Sequence, residues 1–424
     1  MRLFARRRKP NTLLPMPVRY HTIVTWEIGH VRAAVLDLNN GSAQIFGVAT
    51  APINGISRTA HPDVDRWYAG INKALSQAED MTPNIAGRRV VSDYVTMSVP
   101  SEIISQVPVR IAQDRRRASE RITMDEINNL LQRGFRSGQD TLGAKGMDPS
   151  QDYVHGVVSR IQVDGERVTD PIGLHGSTLS LDLCFSVAPM EWVRALEVIS
   201  QRLEVKLVNI VPHHVGYGSA VGDADALLVV IEPRHTTASI VHQGRSGCTV
   251  VVDKGQEDIT ERIASTMRLQ GRQADALMRA YRGGQLREDI EYSLARVFWQ
   301  ELRGWMDSIA SALCQVVRDE PMPTRIIVAD LSRRLPEAPH ALETPYWESC
   351  LAFPSLPVTT SLAIGGIAGV LDCTAQAGGS GYLLLRSLAH HVAHLYSPLG
   401  EIDRRLMEMV CWRSPSSATA KQNI

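Results

Sequence analysis

His390 and His394 stand one helical turn apart beside His391, a spacing that could hold zinc. No glutamate completes an H-E-x-x-H pattern and no third ligand is close in sequence, so surface histidines and no metal site are expected. Gly216, Gly218 and Gly222 imitate a dinucleotide fingerprint, but an apolar strand begins almost at once at Ala226. That leaves no room for a helix whose N-terminus would face a pyrophosphate, and the stretch reads as a loop. No G-x-S-x-G elbow or spaced Cys and His pair marks a nucleophile, and no catalytic residue is assigned. The six cysteines, at 184, 248, 314, 350, 373 and 411, never form a C-x-x-C pair. They fit neither a disulfide framework nor a zinc cage, and a reducing cytoplasm is implied. Near the C-terminus, Ile402, Leu406, Met409 and Val410 share one helical face, with Arg404, Arg405 and Glu408 off it. Two readings stand for this segment: an interfacial helix flanked by Leu399 and Trp412, or an end helix that closes a core.

Composition limits what these residues can serve. The chain has 424 residues, enough for at least two cores. Lys plus Arg (45) balance Asp plus Glu (45), so no global field favours nucleic acid. A 44% hydrophobic and 21% charged chain can bury a core and is not of a disordered class. Arg2, Arg6, Arg7, Arg8 and Lys9 make the N-terminus basic, yet no apolar run succeeds them, since Pro10, Pro15 and Pro17 interrupt the next residues, so it is no secretory signal. It reads as a disordered tail over 1–20, or as a polybasic patch drawn to anionic lipid. The uncharged stretch Leu351 to Leu371 reaches membrane-spanning length, but Pro354, Pro357, Thr359 and Thr360 predict strand, turn and buried packing instead.

The elements emerge from the hydrophobic periods. Residues 22–50 alternate as three strands, with a tight turn at Asn39-Asn40-Gly41, and 64–79 carry a helical period through Val64, Trp67, Ile71, Ala74, Leu75 and Ala78. Strands are predicted at 90–99 and 106–111. A helix then opens with Thr123 and Glu126 as a capping box and turns Ile127, Leu130, Leu131 and Phe135 inward. Strands at 154–163 and 179–187 flank a turn fixed by Pro171, and a helix over 191–203 leads to a strand at 205–211. A second meander runs from 226 to 253, then an almost wholly helical stretch, 259–317, a strand at 325–329 and a helix over 382–395. Three adjacent strands and then a helix thus occur twice, which predicts a duplicated α/β architecture with a cleft between halves.

From about Thr22 to Tyr396 the sequence resembles FtsA, the actin-like bacterial cell-division protein that tethers FtsZ filaments to the membrane. The resemblance is carried by Glu27-Ile28-Gly29, by R-I-T-M-D-E-I-N-N-L-L in an inserted module, by Val168 to Gly176, and by V-V-D-K-G-Q-E-D-I-T at 251–260. It implies an actin-like, duplicated ribonuclease H-like two-lobed α/β fold with an inserted small α/β module. The first lobe is expected at 21–88 with 179–204 and 382–396, and the inserted module at 89–178. The second lobe is expected at 205–253 with 324–381, a helical outer subdomain at 254–323, and a short amphipathic segment with a polar tail at 397–424. The resemblance further implies a peripheral position at the inner face of the membrane, division-protein partners of the FtsZ type, self-association into filaments, and no nucleic acid. A pilus-assembly platform of the PilM type, which shares fold and module, is the second family it is similar to.

Actin-like ATPases hold phosphates on two glycine-rich turns, with an aspartate at each strand end for Mg²⁺. Against that pattern W-E-I-G-H-V-R keeps Gly29, a carboxylate one methylene longer in Glu27 and a cation in Arg32, but His30 and Val31 lose the hydroxyl donor. The second turn, I-E-P-R-H-T-T-A-S-I, keeps Thr236 and Thr237. Pro233 has no N–H to give, Arg234 and His235 place side chains where phosphate needs bare backbone, and Ala238 replaces an acid. V-A-D-L-S-R-R at 328–334 has no glycine under an adenine, and Leu331 would crowd the base. The expectation is a pseudo-ATPase that requires no cofactor, with Glu27, Gly29, Arg32, Arg234, His235, Thr236 and Thr237 as a residual nucleotide site. Retained ATP with Mg²⁺, held by charge-assisted bonds from Arg32, Arg234 and His235, is the alternative.

Overall fold

The computed structural model describes residues 18–27, 29–53, 61–144, 150–317, 321–330 and 335–411. The basic N-terminal run, Ile28, Leu331 and Trp412 lie outside them. The first lobe opens with an antiparallel meander of β1 (Tyr20–Glu27), β2 (His30–Asn39) and β3 (Ser42–Pro52). Asn40 and Gly41 both take positive φ, 44° and 85°, the conformation a two-residue hairpin turn demands. Helix α1 (Val64–Met81) is capped by the Asp63 side chain and buries Trp67, Ile71, Ala74, Leu75 and Ala78 on this sheet. Its approach depends on Gly47, where a Cβ would lie 1.8 Å from the Ala78 carbonyl oxygen. Trp67 meets both Trp26 and Trp192, with ring centroids 4.8 and 4.7 Å away. After the short α2 (Pro83–Ala86), β4 (Tyr94–Val99) lies parallel to β1.

The inserted module comes next: β5 (Ser105–Asp114), α3 (Met124–Ala144), β6 (Gln151–Val163), β7 (Glu166–Arg167) and β8 (Thr178–Pro189), in the sheet order β5-β8-β6-β7. The predicted capping box forms at α3, with the Glu126 N–H donating to Thr123 Oγ1 at 3.4 Å and the Thr123 N–H to Glu126 Oε2 at 3.3 Å. Helix α4 (Met190–Arg202) returns the chain to β9 (Lys206–Pro212), parallel to β4 at the edge of the first sheet.

Helix α5 (His213–Ser219) crosses to the second lobe. There β10 (Ala226–Ile231), β11 (Thr236–His242) and β12 (Arg245–Val252) repeat the meander. Helices α6 (Gln256–Thr266), α7 (Gly271–Arg282) and α8 (Glu288–Val316) cover it, Phe298, Leu302, Trp305 and Ile309 of α8 being fully buried. β13 (Arg325–Asp330) lies parallel to β10. Beyond α9 (Ala338–Ala341) and α10 (Pro345–Cys350), β14 (Val358–Ser361) pairs parallel with β13. The resulting order, β12-β11-β10-β13-β14, is that of the first lobe, β3-β2-β1-β4-β9, where β15 (Val370–Asp372) adds one more edge strand. The duplication inferred from the sequence is therefore one of strand order and direction. Helix α11 (Leu383–Leu395) joins the halves: Leu384, Leu388 and Val392 share one core with Ile23 and Leu36 of the first sheet and Leu228 and Val230 of the second. Helix α12 (Glu401–Cys411) ends the described chain.

Several expected boundaries shift. β4, assigned to the module by its place after residue 88, pairs with β1, whereas β8, assigned to the first lobe, is the central strand of the module. β9, expected in the second lobe, belongs to the first. Strand partners are long-range, and a strand's own residues do not name them. The Gly216 and Gly218 stretch is no loop but the buried helix α5, which lies against α11 and β12. A Cβ at Gly218 would meet Ser246 Oγ at 1.9 Å, so here glycine serves close packing.

The interfacial reading of 399–412 is corrected as well. Ile402, Leu406 and Val410 are at most 4% exposed and Met409 is partly buried, all within the core of the inserted module. The apolar face of α12 is spent on β6, and Arg404 donates to the Leu395 carbonyl at 2.8 Å. Leu399 remains exposed. Among the described residues, no helix is long and apolar enough to cross a membrane.

Candidate functional site

Both meanders aim their first hairpin end at the cleft between the lobes. In the first lobe Glu27 and His30 face each other as the last β1–β2 pair, and Gly29 takes a φ of 81° between them. The Glu27 carboxylate pairs with the Arg32 guanidinium and lies 3.1 Å from His30 Nε2. Burial alone would raise the Glu27 carboxyl, but the His30 hydrogen bond and the Arg32 charge outweigh it and hold the group below the usual glutamate range. Arg32, 9% exposed, lies 4.9 Å from the centre of the Tyr382 ring, a cation–π contact that fixes it in the hairpin.

In the second lobe the turn Glu232-Pro233-Arg234-His235 is closed by the Glu232 N–H, which donates to the His235 carbonyl at 3.0 Å. The Glu232 and Pro233 carbonyls accept from the N–H groups of Gln256 and Glu257 at the start of α6, at 3.3 and 2.7 Å. That docking needs glycine at 255, since a Cβ there would lie 2.3 Å from the Glu232 oxygen. Arg234 turns out of the cleft and pairs with Glu257 and Glu261 of α6, both at 3.2 Å. His235 turns inward. Its Nε2 pairs with Glu232 and lies 3.2 Å from Glu102 Oε2, a residue of the single-turn helix Ser101–Ile103 just after β4. His213 Nδ1 stands 3.9 Å from Glu232. Burial would lift the Glu232 carboxyl, yet the His213 and His235 rings beside it reverse this and bring it down to about 2. The Tyr217 phenol is pushed well above its usual range by burial and then by the charges of Glu27 and Glu232, one from each lobe.

Of the residues expected at a nucleotide site, Glu27, Gly29, Arg32 and His235 are at the cleft. Arg234 is not, and Thr236 is a structural tie: its hydroxyl donates to the Lys254 carbonyl and accepts from Trp305 Nε1, each at 2.8 Å. Thr237 is 1% exposed, with no hydrogen bond to its hydroxyl among the described residues. Glu102, Glu232, His213 and Tyr217 were missed as site residues. Glu232 stands in the altered second turn, but no sequence signal ties the other three to it.

Three carboxylates, Glu27, Glu102 and Glu232, occupy the cleft, Pro233 has no N–H, the Glu232 N–H is already used, and one expected cation, Arg234, faces solvent. A cradle for anions needs free backbone donors and positive charge, and this turn has lost the N–H of Glu232 to its own closure and that of residue 233 to proline.

A second concavity of about 450 Å³ opens between the module, α11 and α12, bordered by His155, Arg245, His390, His394 and Asp403. The expected surface histidines thus differ: His391 is 8% exposed, its ring 5.4 Å from that of His155, and His394 lies 3.6 Å from Asp403.

No protein-family model matches the chain. It is similar to the cell division protein FtsA of Streptococcus pneumoniae, at 21% identity over 257 residues, 59% of this chain and 53% of that one. Similarity to FtsA of Enterococcus faecalis is of the same order, 22% over 257 residues. The chain thus spans about half the length of the curated relatives it matches. A solved PilM–PilN type IV pilus biogenesis complex matches 88% of this chain and 98% of its own at a TM-score of 0.55 and 11% identity. The fold is actin-like. Within it the chain is similar to FtsA at low identity.

Proposed function

We propose that this actin-fold protein is a pseudo-ATPase scaffold that joins a bacterial division assembly of the FtsA type through protein contacts. The reading rests on one observation: the turns that would hold a triphosphate are filled by the ion pairs Glu27–Arg32 and Glu232–His235–Glu102. Without a phosphate cycle, what the fold offers a partner is its surfaces, and similarity to FtsA makes FtsZ-type filaments the leading partner, with self-association into actin-like filaments as a further property. A membrane connection would not run through α12, whose apolar face is covered. It would come from the basic residues Arg2 to Lys9 or from a membrane-embedded partner.

End-to-end coverage of PilM favours a second reading, a platform that captures a peptide of a membrane protein. Affinity purification of the full chain from its own cells separates the two: FtsZ-type protein recovered in one case, an inner-membrane pilus protein in the other. A fluorescent fusion evenly spread through the cell at every stage of division would sink the division reading.

A further inference from the structure

We propose that Glu102, Glu232 and His235 bind one divalent transition-metal ion, zinc being the best match, and that this ion clamps the two lobes without any nucleotide. One ligand atom from each of the three residues lies within 4.8 Å of the others, and their side chains are only 15%, 13% and 9% exposed. Tetrahedral zinc at about 2.0–2.2 Å from N and O ligands places them roughly 3.5 Å apart, so small shifts about the present positions admit the ion.

A second observation points the same way. His213 is 3% exposed, and neither of its ring nitrogens has a hydrogen-bond partner among the described residues. Its Nδ1 approaches Glu232 at 3.9 Å, which makes it a fourth ligand in waiting. Buried imidazoles are costly to leave unpaired.

Charge gives a third reason. Among the described residues, the ion-pair partners of Glu102 and Glu232 are histidines alone. Two buried carboxylates call for two positive charges, and one divalent cation supplies both while leaving the rings neutral and able to ligate. Mixed imidazole and carboxylate ligands favour zinc and its neighbours over Mg²⁺ or Ca²⁺, which take oxygen sets.

The ligands also divide between the lobes. Glu102 lies just after β4 of the first sheet, while Glu232 and His235 form the β10–β11 turn of the second. An ion here would hold the cleft shut, as a nucleotide would in an ATP-binding relative. The clamp is independent of which partner the scaffold binds, and failure to bind zinc leaves that reading standing.

The test is calorimetric titration of chelator-treated full-length protein with ZnCl₂, and with CoCl₂ monitored by absorption. One equivalent of zinc should bind, with a raised Tm, and Co²⁺ should show the intense bands of a four-coordinate site. Glu102→Gln, His235→Gln and Glu232→Gln should each weaken zinc at least tenfold. His390→Gln with His394→Gln, in the other concavity, should not. Glu102→Gln changes only a turn residue, so it decides the matter if the other variants fail to fold. Absence of zinc binding, binding undiminished in Glu102→Gln, or metal uptake only when ATP is present would overturn the proposal.

Discussion

Glu102 of the first lobe and His235 of the second meet across the cleft at 3.2 Å, so the two halves are tied by side chains of their own at the place where a nucleotide would bridge them. A triphosphate entering there would displace this contact and face the carboxylates of Glu27 and Glu232. Unit charges 5 Å apart repel by about 3 kcal/mol at an effective dielectric of 20, comparable to the ~4 kcal/mol of a millimolar ligand. Calorimetry with Mg²⁺ and ATP should therefore show no saturable binding up to millimolar nucleotide. Saturable binding that disappears in Arg32→Ala would mean that the first hairpin still holds phosphate.

Leu406 of α12 has no exposed surface and sits against Gly156 of β6, where an added Cβ would be 3.1 Å from its branch carbons. The neighbouring Met407 sulfur accepts the Gly156 N–H at 3.3 Å, so helix and strand are joined by packing and by a bond. Leu406→Ala should cost about 2–5 kcal/mol by urea denaturation, the range for a cavity that the surroundings cannot fill. Were the helix a membrane anchor instead, the same change would leave stability intact and lower binding to anionic vesicles.

Local signals in the sequence were strong wherever the chain folds on its neighbours. The Asn39-Asn40-Gly41 turn, the Thr123 and Glu126 box, and the periods of α1 and α3 all rest on contacts within a few residues. Contacts between distant segments left no such trace. His213-His214-Val215-Gly216 reads as a loop because glycine lowers helix propensity, yet packing on α11 and β12 decides the matter. Leu406 and Val410 make an apolar stripe whose partner, β6, is some 250 residues earlier in the chain, and a stripe does not state what covers it. Glu102 is one carboxylate after a proline and a serine. Only the approach of the chain just after β4 to the β10–β11 turn at the cleft gives it a role. The phosphate turns were legible as altered, because Pro233 is a local fact, but the outward turn of Arg234 depends on Glu257 and Glu261 of a helix some 25 residues away.

Two buried histidines far from that turn set an acid limit on stability. His21 is fully buried beneath the Tyr396 ring, with Nε2 2.9 Å from Thr96 Oγ1, and burial lowers its pKa to about 3. His155 is lowered to about 4, chiefly by burial, with the Asn209 hydrogen bond and the Asp403 charge opposing. Both are neutral in the folded protein above these values, whereas in the unfolded chain each takes a proton below about 6.5. The unfolded state thus binds more protons between about pH 6.5 and about pH 4, and stability must fall as the pH is lowered through that window. The slope is on the order of 1 kcal/mol per pH unit for each histidine. Asp403, brought to about 2 by Arg245 and His394 against the effect of burial, adds its own loss only below about pH 4. Urea midpoints measured from about pH 7 to about pH 4.5 should decline steeply, and the double variant His21→Gln, His155→Gln should flatten that decline even if its stability at neutral pH is lower. An equal slope in the variant would show that these rings take up protons in the folded state.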